Sequence, residues 1–581
     1  MAIFTPSESP AIVVKEVDLS GVVPNVQSTT GAIVGNFRWG PVEQATLIDN
    51  EASLAATFGT PTDSNAVDFL SAAYFLKYSS SLQTVRMVGT NATNARDTVA
   101  GSTPLVKNST NFDNTEAALD SAGNVFIAKY PGILGNSLKI SFCPVSGDSS
   151  GAAEADSAFD AWTYKSSFDG SPRSSNWALT QGAKNDEMHV VVVDEDGLIS
   201  GTRGTVLETF GYVSLASNAK TPEGASNYIK DVINNKSSYI YLAGFGSGFP
   251  SSAGTTMTSG ENFYDASNDA NVTRSFDSGA NGGALTTGNF ATGYGLVSDK
   301  DTVTVDFLIA PAVNTHTNHV TIVNDLVTIA SSTRKDCVVT ASPAREKVIG
   351  TATPNTDIAS STFDYTGSSY LIKDNNWLKV YDKYNDKYRF IPAASSTAGL
   401  MAATDLNAAP WFSPAGSRRG AYLGITGLAY NPTKAERDTL YKASINPVAN
   451  IPGEGVLLFG DKTNLLRPSA FDRINVRRLF LVLERAISLA ARNVLFEFND
   501  EFTRAEFVNI VEPFLREVQG RRGITDFRVV CDETNNTPAV VDRNEFIATI
   551  FIKPARSINY VTLNFVAVRT GVEFEEVVGT V

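Results

Sequence analysis

The sequence predicts a chain of several domains of mixed α/β and α+β class. Its 581 residues exceed what one hydrophobic core usually holds. Residues 305–343 read as strand, helix and strand, an order that gives parallel strands through a right-handed crossover. In residues 472–568 two long amphipathic helices precede a run of strands, which is typical of an α+β domain.

The first 24 residues predict an extended arm with one strand in it. Prolines on both sides isolate the apolar stretch Ala11–Val17 from any helix. Ile12 and Val14 fall on one face of this strand, and Val17 ends its apolar stretch.

Residues 31–89 have the pattern of a mixed α/β domain. Strands are predicted at 31–37 and 83–89. Between them lie a helix at Glu51–Phe58, ended by a glycine, and a second helix that Ser64 can cap.

Residues 91–345 predict a β-rich insertion region. Strand patterns occur at 138–142 and 188–194, whereas 91–125 is polar and weakly periodic, as expected of a surface excursion. Residues 244–295 are rich in Gly, Ser and Asn and are predicted to form loops.

The C-terminal part shows the clearest periodicity. Asp472 precedes a long amphipathic helix, and Thr503 with Glu506 forms a capping box that opens a second helix. Strand patterns follow at 527–531, 546–552 and 560–568. After Gly571 a last strand pattern runs through Val572, Phe574 and Val578.

These patterns divide the chain into five parts, and its 43% hydrophobic content suffices for their cores. They are an N-terminal arm (1–24), a middle α/β domain (25–90 with 346–455), an outer insertion region (91–345), a C-terminal domain (456–570) and a C-terminal arm (571–581).

Charge is distributed unevenly along the chain. The total is 47 basic and 61 acidic residues, a net charge of −14. Residues 91–300 carry a net charge of −9, whereas residues 441–581 are nearly balanced at −1. Because phosphate neutralisation needs a basic surface, nucleic acid is not expected as a direct partner.

The sequence gives no sign of membrane insertion or export. No apolar run approaches the roughly 18–20 residues of a membrane helix, and the N-terminus lacks the pattern of a signal peptide. Three widely spaced cysteines form no disulfide or zinc framework.

Candidate catalytic motifs are weak. His316 and His319 could share a helix face as metal ligands, but no Cys or third His stands nearby and nothing singles out a flanking carboxylate, so capping or surface roles are favoured. The segment from Gly455 to Lys462 resembles a phosphate loop with one residue too many, and Asp461 would repel phosphate. A strand ending in a turn is the better interpretation, and we expect no catalytic, cofactor or metal site.

The most specific signals are long segments near the C-terminus: FDRINVRRLF (471–480), FRVVCDETNNTPAVVDRNEF (527–546) and KPARSINYVTLNF (553–565). They closely resemble the C-terminal domain of phage tail sheath proteins. Earlier blocks that fit the same family are GNFRWGP (35–41), YPGILGN (130–136), SPAGSRRG (413–420), INPV (445–448) and FGDKT (459–463). The stretch between Val88 and Ala128 looks short beside that of some relatives, so an outermost domain is expected to be reduced.

This resemblance implies a structural protein of the virion that is assembled in the host cytoplasm. Such subunits form stacked hexameric rings, or a helical tube, around an inner tail tube, and contraction drives the tube through the host cell envelope. The implied partners are other copies of the chain, the tail tube, the baseplate and the tail terminator. The C-terminal domain would lie against the tube, insertions would point outward, and terminal arms would complete the sheets of neighbouring subunits.

The arms are consistent with assembly on energetic grounds. Ordering about ten arm residues costs roughly 10–20 kcal/mol of backbone entropy. Ladder hydrogen bonds of about 1 kcal/mol each and burial of about 1.5–3 kcal/mol per large side chain offset a similar amount on a neighbour's sheet edge. The alternative is that both termini fold back on their own domain.

The helix after residue 503 offers candidate contacts to the tube. Its expected polar side and the following turn carry Arg504, Arg516, Arg521 and Arg522. The alternatives are an ordinary solvated face, or pairing within the subunit with Glu506, Glu512 and Glu517.

Two other functions remain open at this stage. A surface adhesin could use the Gly/Ser/Asn-rich loops to bind glycans, and would be a monomer or small oligomer. An envelope-degrading enzyme would need a catalytic pair, and no pair of carboxylates is singled out.

Overall fold

The structure is a computed structural model that describes residues 29–97, 103–148, 150 and 152–559. Its described residues form two compact units, one of 29–409 with 414–474, here called the central unit, and one of 410–413 with 475–559, here called the C-terminal unit. No helix among them is long and apolar enough to cross a membrane.

A six-stranded sheet forms the core of the central unit. In order, its strands are Leu371–Lys373, Val338–Ala341, Phe307–Ile309, Gly31–Gly35, Leu82–Arg86 and Ala45–Ile48. The first five are parallel and the last is antiparallel. Helices Ala66–Phe75 and Ala394–Asn407 pack on this sheet, as do Thr287–Gly295 and His316–Thr328, which explains why all five residues of Gly31–Gly35 are buried.

A second, antiparallel sheet belongs to the insertion region. Its seven strands are, in order, Ile240–Leu242, Phe126–Ala128, Arg96–Asp97, Val272–Asp277, Leu138–Pro144, Glu187–Asp194 and Thr205–Ser214. Helix Ser109–Ser121 buries Phe112 against Tyr241 of this region, with ring centroids 4.0 Å apart. The polar run 91–125 is therefore more than a surface excursion, and residues 244–295 contain both a strand and a helix.

The remaining strands and helices include the two long helices of the C-terminal unit. The other strands are Asn91–Thr93 with Ala280–Gly282, Trp377–Asp382 with Lys387–Pro392 and Gly427–Leu428, Val448–Ile451 with Gly455–Leu458, and Ile524–Val530 with Thr549–Pro554. The other helices are Glu51–Phe58, Ser157–Ala161, Asn176–Gln181, Ile229–Lys236, Pro354–Ser360, Lys434–Lys442, Ile474–Ala491, Glu501–Gly520 and Pro538–Val541.

The predicted crossover is confirmed, but the sheet pairing differs from the predicted domain division. Strands Phe307–Ile309 and Val338–Ala341 pair in parallel within the sheet that contains Gly31–Gly35. This pairing places them with the first domain rather than in the insertion region, whose predicted limit was residue 345. Strand Gly455–Leu458 likewise pairs with Val448–Ile451 of the central unit, although the C-terminal domain was predicted to begin at 456.

Two helix starts also differ from the sequence prediction. Asn65, not Ser64, directly precedes helix Ala66–Phe75. Asp500 caps helix Glu501–Gly520 by accepting a hydrogen bond from the backbone N–H of Thr503, so the capping box predicted there is wrong. A carboxylate is a strong N-cap acceptor and takes the place of the threonine hydroxyl.

Arg86 joins two of the sequence blocks quoted above. Its buried guanidinium donates to the carbonyl oxygens of Phe37 (2.8 Å), Gly40 (2.7 Å) and Pro131 (2.6 Å). The first two carbonyls belong to GNFRWGP and the third to YPGILGN, so this side chain ties the central sheet to the insertion region. Burial lowers the pKa of Arg86 to about 9, which leaves it charged at neutral pH.

Candidate assembly surface

The C-terminal unit is built on two helices. Helix Glu501–Gly520 buries Phe507, Val511, Leu515 and Val518, a spacing that places them on one face. Its half-buried Ile510 and Phe514 pack against alanines of helix Ile474–Ala491. These residues form the apolar side of the helix, which faces the interior of the unit.

A β-hairpin follows these helices. Strands Ile524–Val530 and Thr549–Pro554 pair antiparallel, and among the described residues neither has another partner strand. An isolated two-stranded sheet is marginally stable in water. Its two outer edges therefore offer backbone donors and acceptors to further strands.

The four candidate arginines occupy different environments. Arg504 is buried and donates to Asn499 Oδ1 at 2.9 Å, so it does not lie on the exposed side where the sequence placed it. Arg516 is exposed and lies 3.3 Å from Glu512. Arg521 lies 3.6 Å from Glu517, with its guanidinium over the ring of Trp411. Exposed pairs of this kind contribute about 0–1 kcal/mol each.

Arg522 completes the basic end of the helix. It is exposed and has a φ of 67°, a left-handed conformation suited to ending a helix. Because the helix has 20 residues, its two ends lie about 30 Å apart. Arg516, Arg521 and Arg522 are therefore clustered at the C-terminal end, away from its start.

An exposed apolar segment lies at the start of the same helix, and sequence reasoning missed it. Phe496 is fully exposed, and Phe498, Phe502 and Leu495 are exposed by 83%, 77% and 61%. We call these four side chains the aromatic segment. The run LFEFNDEF was the available signal, because it interleaves three phenylalanines with three acidic residues at a helix boundary.

The predicted arm strands lie outside the described residues. This applies to Ile12, Val14 and Val17 at one end and to Val572, Phe574 and Val578 at the other. Their docking to neighbouring subunits stays a prediction.

The two histidines do not converge on a common site. His316 Nε2 lies 2.7 Å from Asp364 Oδ2, whereas His319 Nδ1 bonds to the hydroxyl of Tyr365 at 2.9 Å. Desolvation lowers the pKa of His319 to about 3, so its imidazole is neutral. In the described part of the chain, no group of three His, Cys, Asp or Glu side chains could hold a metal ion.

The segment that resembles a phosphate loop is a strand and turn, as expected. Gly455–Leu458 pairs with Val448–Ile451. Asp461 pairs with Arg473 at 2.8 Å, and Lys462 Nζ donates to the carbonyl oxygen of Tyr441 at 2.7 Å. The side chain of Lys462 thus stabilises the fold of its own chain.

Comparison with known proteins places the chain in a family. The model of the phage tail sheath protein central domain matches residues 297–464, and that of the phage tail sheath C-terminal domain matches 467–567. A model of the N-terminal region of tail sheath domain III matches residues 28–87. The chain is 32% identical to the tail sheath protein of Vibrio phage KVP40, over 98% of this chain and 99% of that protein. It belongs to the phage tail sheath family.

Other relatives agree with this assignment. The tail sheath protein of Enterobacteria phage T4 is also 32% identical, over 98% of this chain and 99% of the relative. A sheath tail protein of Listeria innocua shares the fold with a TM-score of 0.52 at 11% identity, covering 91% of this chain and 96% of that one. As a member of this family the chain is a structural component of a phage tail, and residues 475–559 of the C-terminal unit lie within the matched C-terminal sheath domain.

Proposed function

We propose that the chain is the subunit of a contractile tail sheath. Copies polymerise as stacked hexameric rings around an inner tail tube, and contraction drives the tube through the host cell envelope. The observation that carries the proposal is the 32% identity to two phage tail sheath proteins over 98% of the chain. Further partners are the baseplate and the tail terminator, and assembly takes place in the host cytoplasm before the sheath becomes part of the virion.

Strand exchange between subunits is the proposed means of assembly. The hairpin of Ile524–Val530 and Thr549–Pro554 has two edges that can accept strands. The arm residues Ile12 and Val14 from one neighbour, and Phe574 from another, supply apolar side chains for such strands. The mixed sheet of the C-terminal domain is then completed by other copies, while the insertion region points outward.

Contraction is proposed to use conformational energy stored at assembly, without an enzymatic step or cofactor. Bistable interfaces between rigid domains can store energy in this way. Two observations support rigid domains: the doubly covered central sheet and the buried Arg86 that ties it to the insertion region. Lys462, the lysine of the phosphate-loop-like segment, already bonds to Tyr441.

The tube contact is proposed to use Arg516, Arg521 and Arg522. Weak, exposed ion pairs suit a contact that must hold the tube and then release it, because they re-solvate easily. Replacing Arg521 and Arg522 by Glu should leave the subunit folded but give sheaths without a tube when tube and baseplate proteins are co-expressed. Arg543→Glu, an exposed arginine of the same unit, is the matched control. Tube-filled tails from the double variant would contradict the contact.

Electron microscopy of the purified chain tests the proposed function itself. A sheath subunit should form wide, hollow polymers of uniform diameter. A protein that stays monomeric or forms small oligomers under all assembly conditions would instead favour a glycan-binding adhesin.

A further inference from the structure

A cleft of about 380 Å³ opens in the central unit between the central sheet and the insertion region. Its walls include Arg38 and Trp39 of the GNFRWGP block, Lys129 and Tyr130 at the YPGILGN block, and Tyr239. The sequence blocks that Arg86 joins therefore also form a concave surface, and the proposed function has not used it.

Three aromatic rings give the cleft a fixed shape. Trp39 packs edge-on against Tyr130, with centroids 5.4 Å apart, and lies 6.4 Å from the ring of Tyr239. Trp39 is buried, so the rings support the wall rather than move into solvent. A rigid wall keeps the cationic groups beside it in place.

The two cations of the cleft lack a carboxylate partner at ion-pair distance within the described residues. The guanidinium of Arg38 has one long hydrogen bond, 3.4 Å, to the hydroxyl of Thr60. Lys129 Nζ donates to the carbonyl oxygen of Ser237. Asp194 and Glu208 act on these cations only at longer range, and desolvation lowers the pKa of both Arg38 and Lys129.

This lack of a partner is unexpected in an acidic protein. The chain has 61 acidic and 47 basic residues, yet it leaves two half-buried cations in the lining of one cleft. A cation that has lost part of its hydration gains most from an anion, and a guanidinium can bind a carboxylate through two parallel hydrogen bonds. The anionic group that pairs with these two cations is therefore expected to come from outside the subunit.

We infer that this cleft binds an exposed Asp or Glu side chain of a second copy of the chain. The inference rests on the proposed function, because only an assembled sheath brings copies together. The charge distribution favours this partner, since residues 91–300 carry a net charge of −9 and would present carboxylates to a neighbour. This contact would be an ion pair between subunits that is separate from strand exchange.

Photo-cross-linking locates the partner directly. Benzoylphenylalanine is placed at Leu198, an exposed residue on the rim of the cleft. In assembled polymers it should cross-link to a peptide that contains Asp or Glu on a second copy, and dilute, unassembled chain should give no such product. Polymers that form normally and give no cross-link between copies would overturn this inference and leave the proposed function unaffected.

Charge reversal tests how much the two cations of the cleft contribute to polymerisation. Arg38→Glu with Lys129→Glu should raise the concentration needed for polymerisation about tenfold or more. Lys300→Glu with Lys434→Glu, two exposed lysines outside the cleft, is the control and should polymerise as the unmodified chain does. If the reversed variant does not fold by circular dichroism, Arg38→Gln should show a smaller shift in the same direction. Unchanged polymerisation of a folded variant contradicts the inference, whereas failure of the unmodified chain to polymerise contradicts the proposed function too.

Discussion

The central unit and the C-terminal unit solve the problem of burying apolar surface differently. In the central unit a six-stranded sheet is covered by helices on both faces, and the buried guanidinium of Arg86 donates to the carbonyl oxygens of Phe37, Gly40 and Pro131. In the described C-terminal unit the sheet has two strands, and three phenylalanines of the aromatic segment are exposed. The central sheet is thus buried within one chain, whereas the hairpin and the aromatic segment of the C-terminal unit present surfaces suited to other chains.

The largest loss of stability should come from removing a buried hydrogen-bond donor in the interior of the central unit. Arg86→Met leaves three buried carbonyl oxygens without a donor, each costing about 1–3 kcal/mol, so the free energy of unfolding should fall by about 5 kcal/mol. Denaturant unfolding followed by near-ultraviolet circular dichroism measures it. Arg516→Met, at an exposed arginine of the C-terminal unit, should change the free energy by less than about 0.5 kcal/mol. Similar losses for both variants would remove the contrast between the units.

A buried carboxyl gives the central unit a pH dependence. Burial raises the pKa of Asp68 to about 7, although its Oδ2 accepts from the backbone N–H of Asn36. The folded state therefore holds this proton more tightly than the unfolded state, and stability falls as the pH rises from about 4 to 7.

Asp68→Asn removes that dependence, because the amide carries no charge and its oxygen can still accept from Asn36. The variant should match the unmodified chain near pH 4 and exceed it by about 3–4 kcal/mol at pH 8, at about 1.4 kcal/mol per pH unit. Thermal unfolding at both pH values measures the difference. Asp526→Asn in the C-terminal hairpin should act in the opposite direction, since Lys553 holds the pKa of Asp526 below its usual range. A gain for Asp68→Asn that does not depend on pH would contradict this reasoning.

The smallest effect on subunit stability is expected at the aromatic segment. Phe498→Ser with Phe502→Ser should change the free energy of unfolding by less than about 0.5 kcal/mol, because both rings are already exposed. The yield of polymer, measured by sedimentation, should nevertheless fall. Phe363→Ser, at a single exposed ring of the central unit, should change neither quantity. Full polymer yield from the double variant would show that this surface takes no part in assembly.

Elements with strong local periodicity were predictable from the sequence. The parallel strands on either side of helix His316–Thr328 and the two long C-terminal helices were expected near their observed positions. Pairings between distant segments were not, since nothing local shows that Phe307–Ile309 lies beside Gly31–Gly35. The predicted domain boundaries differ from the sheet pairing for this reason.

The candidate site was predictable only in part. The basic end of helix Glu501–Gly520 was found, but Arg504 proved buried because Asn499 binds it inside the unit, a contact that helical spacing does not reveal. The aromatic segment was missed because phenylalanine is usually buried, so that its exposure depends on the tertiary structure. The N-cap was missed for a similar reason. The side chains of Asp500 and Thr503 can both accept a hydrogen bond from a backbone N–H of the first helical turn, and the sequence does not show which one does.

Truncation tests whether the subunit folds alone but needs its terminal arms to assemble. Two variants lack either residues 1–20 or all residues after Thr570, and sedimentation velocity with electron microscopy compares their polymers with those of the full chain. We expect folded monomers that form no sheath polymer, with circular dichroism like that of the full chain. Normal hollow polymers from both truncated chains would contradict it.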